Sequence, residues 1–469
     1  MIKKISLIAM IAACSFGVNA QVTIDSSFRN GHYDHRLAYF MSMPDQKQEI
    51  VFVGNSITEM GEWQELLPGL PVVNRGISGD VTYGVLARMD EVLKSRPEKV
   101  FLLSGVNDLK RGIPVDTIAK TIGRILRKIR TESPDTKLYL QGVLPVNEGM
   151  LAAQYSKVKN ALIIALNQRL KALADIYQCQ YVDLSPALAD SDGVLKKENT
   201  QDGLHLWPQA YIKWVNLLKE KGYLPGTEHT NMQAVAAPVV LVGGVPAPVA
   251  GSGPGTGSAA ATTTAVAKID SSYNNTYYQQ RMELFRELPV QKNAILFLGN
   301  SITERGPWQE LLPGKPVVNR GIGGDNTFGL LARLNSHLVM KPKVIFLLIG
   351  INDIGRGLPT EVSANNYRRI VDRIRTVCPK AKLYIQSILP MNEKILTAAY
   401  LKNKKDKVIA LNQEIRKIAA ERNLTFIDLH AVFADPQGEL HAGMTIDGIH
   451  LRPSAYAKWV EFLKAGHYL

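Results

Sequence analysis

Cysteine is scarce in this sequence of 469 residues, which contains only Cys14, Cys179 and Cys378. Three cysteines cannot form the dense disulfide framework of small secreted domains, and no Cys-x-x-Cys pair for zinc or redox chemistry is present. The sequence also lacks the His-Glu-x-x-His zinc motif and the P-loop that binds nucleotide phosphates. We therefore expect a protein that needs neither a metal nor another cofactor.

Long hydrophobic runs are missing after the N-terminal segment, so no later stretch reaches the ~20 apolar residues that span a bilayer. In the N-terminal segment, two lysines precede a mostly apolar stretch that ends at Val18, and a small-residue cleavage site ends at Ala20. This arrangement is typical of a secretory signal peptide over residues 1–20 and predicts a periplasmic or secreted protein. A second interpretation stays open, because the segment 11–14 resembles a bacterial lipobox that would lipidate Cys14.

Positive charge is in excess, with a formal net charge of +13 and an isoelectric point of about 9.4. A basic surface can attract nucleic acid or membrane surfaces. Here the lysines and arginines are scattered, and no stretch interleaves them with the aromatic residues typical of nucleic-acid grooves. We therefore expect solvated helix faces and no nucleic-acid partner.

The sequence contains an internal repeat. The segment Gly54–Glu59 recurs residue for residue as Gly299–Glu304, and a Trp-Gln-Glu-Leu-Leu-Pro-Gly segment recurs at the same offset of 245 residues. Between the copies, residues 226–267 are rich in Pro, Gly, Ala, Ser and Thr, which is typical of a flexible linker. The sequence therefore predicts two homologous domains, over residues 21–225 and 268–469.

Short apolar runs alternate with amphipathic stretches in each copy. Near-continuous apolar strands of this kind are buried on both faces, which predicts an α/β fold with a parallel sheet between two layers of helices. Helical patterns cover residues 115–131 and 155–176. In such folds the functional site lies beyond the carboxyl ends of the strands. The strands predicted in the first copy are Glu49–Val53, Pro71–Val73, Lys99–Ser104, Lys137–Val143 and Gln180–Asp183.

Polar motifs follow the first three predicted strands. Ser56 comes after the first strand, where a nucleophile can stand beside a free backbone N–H, although a helix N-cap is the structural alternative. The segment Asn74–Asp80 follows the second strand, and its glycines either let a backbone N–H approach a ligand or form a simple turn. Asn107 follows the third strand, where its side chain can donate to a developing oxyanion or form an Asx turn.

A histidine near the end of each copy stands three residues after an aspartate. The pairs are Asp202 with His205, and Asp447 with His450. An acid at this spacing can orient the imidazole while the other ring nitrogen acts as a general base. A lone histidine in a surface loop is the structural alternative, which the equivalent placement in both copies disfavours.

These four blocks, in this order and in both copies, resemble the SGNH/GDSL hydrolase superfamily. The resemblance implies a serine esterase with two tandem flavodoxin-like, three-layer α/β/α domains, each containing a five-stranded parallel sheet. It implies a serine nucleophile, a histidine base oriented by aspartate, and an oxyanion hole of backbone and asparagine N–H groups. The sequence departs from the family in having Asn55 and Asn300 where an aspartate usually precedes the nucleophile. The implied catalytic residues are Ser56, Asp202, His205, Ser301, Asp447 and His450, and the implied oxyanion-hole residues are Gly79, Asn107, Gly324 and Asn352.

The sequence specifies the substrate less closely than it specifies the type of reaction. The blocks are most similar to the branch of platelet-activating-factor acetylhydrolase-like enzymes and carbohydrate or sialate O-acetylesterases, which implies a small-molecule or glycan acetyl ester. Arg75 and Arg320 beside the glycine loops could bind an acidic group of such a substrate, or form structural ion pairs. Two other functions stay open: a lipase or lysophospholipase, and one catalytic domain joined to a glycan-binding copy. The sequence does not predict an oligomeric state.

Overall fold

The computed structural model describes residues 27–225 and 270–469. They form two consecutive α/β domains, each with a five-stranded parallel sheet and helices on both faces. The predicted signal peptide (1–20), Cys14 and the predicted linker (226–267) lie outside the described residues.

The first domain alternates helices and strands along the chain. Its elements are α1 Gly31–Ser42, β1 Ile50–Gly54, α2 Ser56–Glu59, α3 Trp63–Leu66, β2 Val72–Gly76, α4 Thr82–Ala87, α5 Met89–Leu93, β3 Lys99–Leu103, α6 Val106–Arg111, α7 Val115–Glu132, β4 Lys137–Gln141, α8 Asn160–Ile176, β5 Gln180–Val182, α9 Ser185–Leu188 and α10 Pro208–Glu220.

The second domain repeats this order, with one helix (α14) in place of the α4–α5 pair. Its elements are α11 Thr276–Glu287, β6 Ile295–Gly299, α12 Ser301–Glu304, α13 Trp308–Leu311, β7 Val317–Gly321, α14 Thr327–Leu338, β8 Val344–Leu348, α15 Ile351–Gly355, α16 Thr360–Val377, β9 Lys382–Gln386, α17 Lys405–Glu421, β10 Thr425–Ile427, α18 Leu429–Phe433 and α19 Pro453–Ala465.

Both sheets have the same strand order. It is β2-β1-β3-β4-β5 in the first domain and β7-β6-β8-β9-β10 in the second, with every pair parallel. Strands β1 and β6 are buried at every position, because helices cover both faces of the sheet. Since parallel strands end at the same edge, the segments after β1, β2 and β3 are brought together, as they are after β6, β7 and β8.

Two element boundaries differ from the sequence prediction by three residues or more. Strand β2 extends beyond Val73 to Gly76, because residues 74–76 continue the parallel register with β1. Helix α8 begins at Asn160 rather than at Tyr155, because Lys159 is extended, with φ −127° and ψ 137°. The Asn160 side chain also bonds the backbone N–H and C=O of Val146, which fixes the start of the helix.

The N-terminal helix of each domain contacts both domains: the Tyr33 hydroxyl of α1 donates to Gly84 of its own domain, and the Tyr278 hydroxyl of α11 donates to Gly329 of its own. Helix α1 packs on α19 of the second domain, and α11 packs on α10 of the first. Tyr278, Met282 and Phe285 of α11 belong to the hydrophobic core that fills the first domain, while Met43, which ends α1, belongs to the core of the second. The two domains are therefore packed through a shared, pseudo-twofold interface. No helix in the described parts of the chain is long and apolar enough to cross a membrane.

Candidate active site

The candidate nucleophiles stand at the first turn after the central strands. Ser56 is the first residue of α2 and Ser301 the first of α12, so their backbone N–H groups belong to the unpaired first turn of a helix. The preceding Asn55 caps α2, because its Oδ1 accepts the N–H of Ile57 at 3.0 Å, and Asn300 caps α12 in the same way. The asparagine that departs from the family pattern thus supplies the oxygen that the turn requires.

In the first domain, the structure brings the three predicted catalytic residues together. The Ser56 Oγ lies 3.0 Å from His205 Nε2, and His205 Nδ1 lies 2.7 Å from Asp202 Oδ2. The other carboxylate oxygen, Asp202 Oδ1, accepts the backbone N–H groups of Leu204 and His205. One aspartate therefore both orients the imidazole and shapes the loop that carries it.

The second domain repeats this geometry. The Ser301 Oγ lies 2.9 Å from His450 Nε2, and His450 Nδ1 lies 2.6 Å from Asp447 Oδ2. Asp447 Oδ1 accepts the N–H groups of Ile449 and His450. Both sites thus have the chain of hydroxyl, imidazole and carboxylate that can activate a serine.

The electrostatics of the aspartates suit their orienting role. Burial alone raises the pKa of a carboxyl group, but the hydrogen bonds and charge of His205 lower the pKa of Asp202 to about 2. The pKa of Asp447 is lowered in the same way by His450. Burial lowers the pKa of His450 below its ordinary value, against the opposing effect of Asp447. At neutral pH both carboxylates are ionised, and His450 is a neutral base.

The predicted oxyanion donors follow the strands on either side of the one that carries the nucleophile, with the glycines after β2 and β7 and the asparagines after β3 and β8. Gly79 has φ +79° and Gly324 φ +76°, and no atom lies within 4 Å of where a Cβ would stand, so the backbone borders open space. Asn107 Nδ2 donates to the backbone oxygen of Asp80 at 2.9 Å, and Asn352 makes the equivalent bond at 2.8 Å. Since an amide NH₂ has two hydrogens, this bond fixes the side chain and leaves a second donor for an oxyanion.

The model of the GDSL-like lipase/acylhydrolase family matches residues 52–212 and 297–458, which together are more than half of the chain. This chain belongs to that family. Each match covers one domain and contains its candidate triad, so the family assignment applies twice. The chain is therefore a hydrolase of the esterase class with two tandem domains.

Known relatives match one domain at a time. The chain is 29% identical over 189 residues to the platelet-activating factor acetylhydrolase IB subunit alpha2 of Rattus norvegicus, covering 39% of this chain and 79% of that protein. The subunit alpha2 of Gallus gallus is 31% identical over 183 residues, covering 38% and 76%. A solved structure described as a platelet activating factor from Streptococcus pneumonia is 33% identical, covers 40% of this chain and 90% of that one, and has a TM-score of 0.37.

Sequence reasoning missed a buried ion pair beside Gly79, the predicted oxyanion donor. Arg88 is completely buried and bonds Asp80 at 3.0 Å, while its Nη2 donates to the backbone oxygen of Gly54. It thereby ties the end of β1 to the residue after Gly79. Arg333 does the same in the second domain. The constant offset between the two arginines is the sequence signal that could have identified them.

Glu59 is a second residue that the sequence analysis missed. Its carboxylate accepts the backbone N–H of Ser78 at 2.5 Å and the Ser78 hydroxyl at 2.6 Å, which fixes the loop beside the nucleophile. Burial raises the pKa of Glu59, but hydrogen bonds from His32 and Ser78 and the charge of Arg36 lower it to about 2. Through Glu59, helix α1 is therefore linked to the loop beside the candidate nucleophile.

The structure places the predicted substrate-binding arginines between the domains. Arg75 is buried, contacts Glu91 at 2.9 Å and reaches Glu310 of the second domain at 3.0 Å. Arg320 reaches Glu65 of the first domain at 2.6 Å. Their charges are matched by carboxylates in the fold, which favours the ion-pair interpretation over contact with a substrate. Within the described ranges, no group of three or more His, Cys, Asp or Glu side chains could hold a metal ion.

Proposed function

We propose that this chain is a serine esterase that hydrolyses small acyl esters, acetyl esters above all, in both domains. The observation that carries the proposal is the hydroxyl–imidazole–carboxylate chain, with links of 3.0 and 2.7 Å in the first site and 2.9 and 2.6 Å in the second. No residue of the proposed machinery is replaced in either copy.

The geometry supports a two-step reaction through an acyl-enzyme. In the first site, Ser56 Oγ attacks the acyl carbon while His205 Nε2 takes its proton, and Asp202 stabilises the resulting imidazolium. The N–H groups of Ser56 and Gly79, with the amide of Asn107, hold the negative oxygen of the tetrahedral intermediate. The imidazolium then protonates the leaving alcohol. Water, activated by the same imidazole, cleaves the acyl-enzyme and releases the acid.

We further propose that the natural esters are O-acetyl groups on glycans or sialic acids. The curated relatives are named acetylhydrolases, which favours a short acyl group. Apart from the exposed Met60 of the first site, the side chains around both nucleophiles are polar and suit a hydroxylated alcohol better than a hydrocarbon chain. These neighbours are His32, Glu59 and Ser78 in the first site, and Tyr277, Glu304 and Arg305 in the second.

A substrate panel tests this proposal against the lipid alternative. O-acetylated sialic acids, acetylated xylan and acetyl-lysophospholipids would be compared, together with 4-nitrophenyl esters of increasing chain length. We expect hydrolysis of at least one acetylated sugar and a sharp preference for acetyl over octanoyl esters. Preferred cleavage of octanoyl esters and lysophospholipids would instead support the lipase function.

We also propose that the protein works outside the cytoplasm, because its first 20 residues have the composition of a signal peptide. Fractionation and N-terminal sequencing of the natively expressed protein test this. A mature N-terminus at Gln21 supports cleavage after Ala20, whereas a lipidated Cys14 supports the lipoprotein alternative. A full-length cytoplasmic protein would contradict both.

A further inference from the structure

The two sites have the same catalytic residues but different rims. At the constant offset of 245 residues, the triads and oxyanion donors are identical, while residues around the nucleophiles are not. Because these residues lie on the loops and helices beside the catalytic groups, the differences bear on which alcohol each site accepts. The differing pairs are His32 and Tyr277, Met60 and Arg305, Ser78 and Gly323, and Lys110 and Gly355.

In the second site, an aromatic ring borders the nucleophile. Gly323 lies between the nucleophile and this ring, because a Cβ added to Gly323 would be 3.9 Å from the Ser301 Cβ and 3.3 Å from Cε1 of Tyr277. A residue larger than glycine at position 323 would therefore crowd the Tyr277 ring. The Tyr277 hydroxyl donates to Glu304 at 2.5 Å, which holds the ring in place, and 45% of the residue is exposed. An exposed, fixed aromatic ring is a suitable surface for the apolar face of a sugar ring.

Arg305 adds a cation to the same rim. It follows directly after α12, and its backbone N–H bonds the oxygen of Ser301. Its side chain is exposed, and the neighbouring Glu304 carboxylate pairs with Arg281 at 2.9 Å. The charge of Arg305 also acts on the general base. Burial is the largest effect that lowers the pKa of His450, and the positive charge of Arg305 lowers it further. A guanidinium in this position can bind a carboxylate with two parallel hydrogen bonds.

The first site differs at each of these points. Met60, which is 47% exposed, replaces the arginine, and the Ser78 hydroxyl is bound to Glu59. A cation on this rim is Lys110, whose Nζ lies 4.3 Å from the centre of the Tyr155 ring, and the centre of that ring lies 6.5 Å from the centre of the His205 ring in an edge-type contact. Lys110 keeps its positive charge, but its ammonium group is held over the ring and is only half-exposed, whereas Arg305 is exposed and can offer two parallel N–H groups to a carboxylate.

We propose that the second site is selective for acetyl esters that carry a carboxylate close to the ester, and that the first site is not. Within the proposed glycan function, on which the sugar identity rests, the preferred substrate is an acetylated acidic sugar. Its ring packs on Tyr277 and its carboxylate pairs with Arg305. The tandem enzyme then deacetylates both neutral and acidic units of a glycan, and the second domain favours the acidic ones.

Each site can be studied in the full-length chain by inactivating the other, with Ser56→Ala leaving the second site and Ser301→Ala leaving the first. The probes are 4-acetoxybenzoate and its neutral methyl ester, and the quantity is the ratio of their kcat/KM values. Differences in leaving-group reactivity cancel when this ratio is compared between the two sites. We expect the ratio to be about fivefold higher in the second site, and to fall at 0.5 M salt, because the arginine is exposed.

Reciprocal substitutions assign the effect to the rim. Arg305→Met in the Ser56→Ala protein should lower the ratio to that of the first site, and Met60→Arg in the Ser301→Ala protein should raise it. Lys382→Met, an equal charge change at the amino end of β9, is the matched control and should not alter the ratio. Equal ratios in the two sites, or an Arg305→Met protein with an unchanged ratio, would overturn the inference.

A sugar pair separates this inference from the proposed function. Monoacetylated glucuronic acid and monoacetylated glucose differ by the carboxylate, and the second site should favour the acidic sugar. If neither sugar is cleaved while the aryl esters keep their difference between sites, the glycan proposal fails and the charge preference stands. If both sugars are cleaved with equal ratios in the two sites, the charge preference fails and the glycan proposal stands.

Discussion

The ion pairs that join the domains give the sharpest prediction about stability. The Glu65 carboxylate accepts Arg320 Nη1 at 2.6 Å, the backbone N–H of Asn319 at 3.0 Å and the amide of Gln309 at 3.2 Å. Only 2% of the Glu65 side chain and 3% of the Arg320 side chain are exposed. Replacing Glu65 by Gln keeps an oxygen for Asn319 but leaves the buried guanidinium without a counter-charge.

Removing one partner of a buried pair costs about 3–5 kcal/mol, and the retained hydrogen bond places Glu65→Gln near the lower limit. For domains of this size, 3 kcal/mol corresponds to a fall in Tm of about 6–12 °C. Calorimetry of the full-length protein would measure the fall in Tm, and urea unfolding would measure the loss of stability. Glu132→Gln, which disrupts an exposed pair with Lys128, is the control and should change the stability by less than about 1 kcal/mol. Equal stability of the two variants would refute the reasoning.

Two further predictions concern the second site, isolated by Ser56→Ala. Because burial lowers the pKa of His450 below 6.5, its imidazole stays neutral in weak acid. The acid limb of the kcat/KM profile against pH should therefore have its midpoint below pH 6.5. A midpoint above that value would contradict the assignment of His450 as the general base. Asn352→Ala should lower kcat by about 10²–10³-fold, because one oxyanion donor is lost. A loss below tenfold in a variant with an unchanged melting curve would remove Asn352 from the oxyanion hole.

Much of the fold could be predicted because its signals are local or repeated. Buried strands such as β1 and β3 are short apolar runs bounded by polar residues, and their alternation with amphipathic helices is specific to a parallel sheet. The motifs at the ends of these strands, and the repeat at a constant offset, then indicated which side chains meet. The pairing of Asp202 with His205 was accessible because only three residues separate them.

The supporting contacts were not accessible, because they join residues far apart in the sequence. Arg75 stands beside a glycine loop, which suggested contact with a substrate, but its partner Glu310 is 235 residues away in the other domain. Local composition contains no signal for such a pair. Glu59 and Arg88 were missed for a related reason. Glu59 ends a short helix and Arg88 lies in the turn between α4 and α5, and only the folded chain brings these ordinary charged residues to the loop that contains Ser78 and Asp80.

The central claim is that both domains are complete esterases, and kinetics of the serine variants test it most directly. Ser56→Ala, Ser301→Ala and the double variant would be assayed with one acetyl ester, and their folding checked by melting curves. We predict that each single variant keeps measurable activity, that the two kcat/KM values add up to that of the unmodified protein, and that the double variant is inactive. If one single substitution alone removed all activity, the other domain would not be a working esterase and the claim would be wrong.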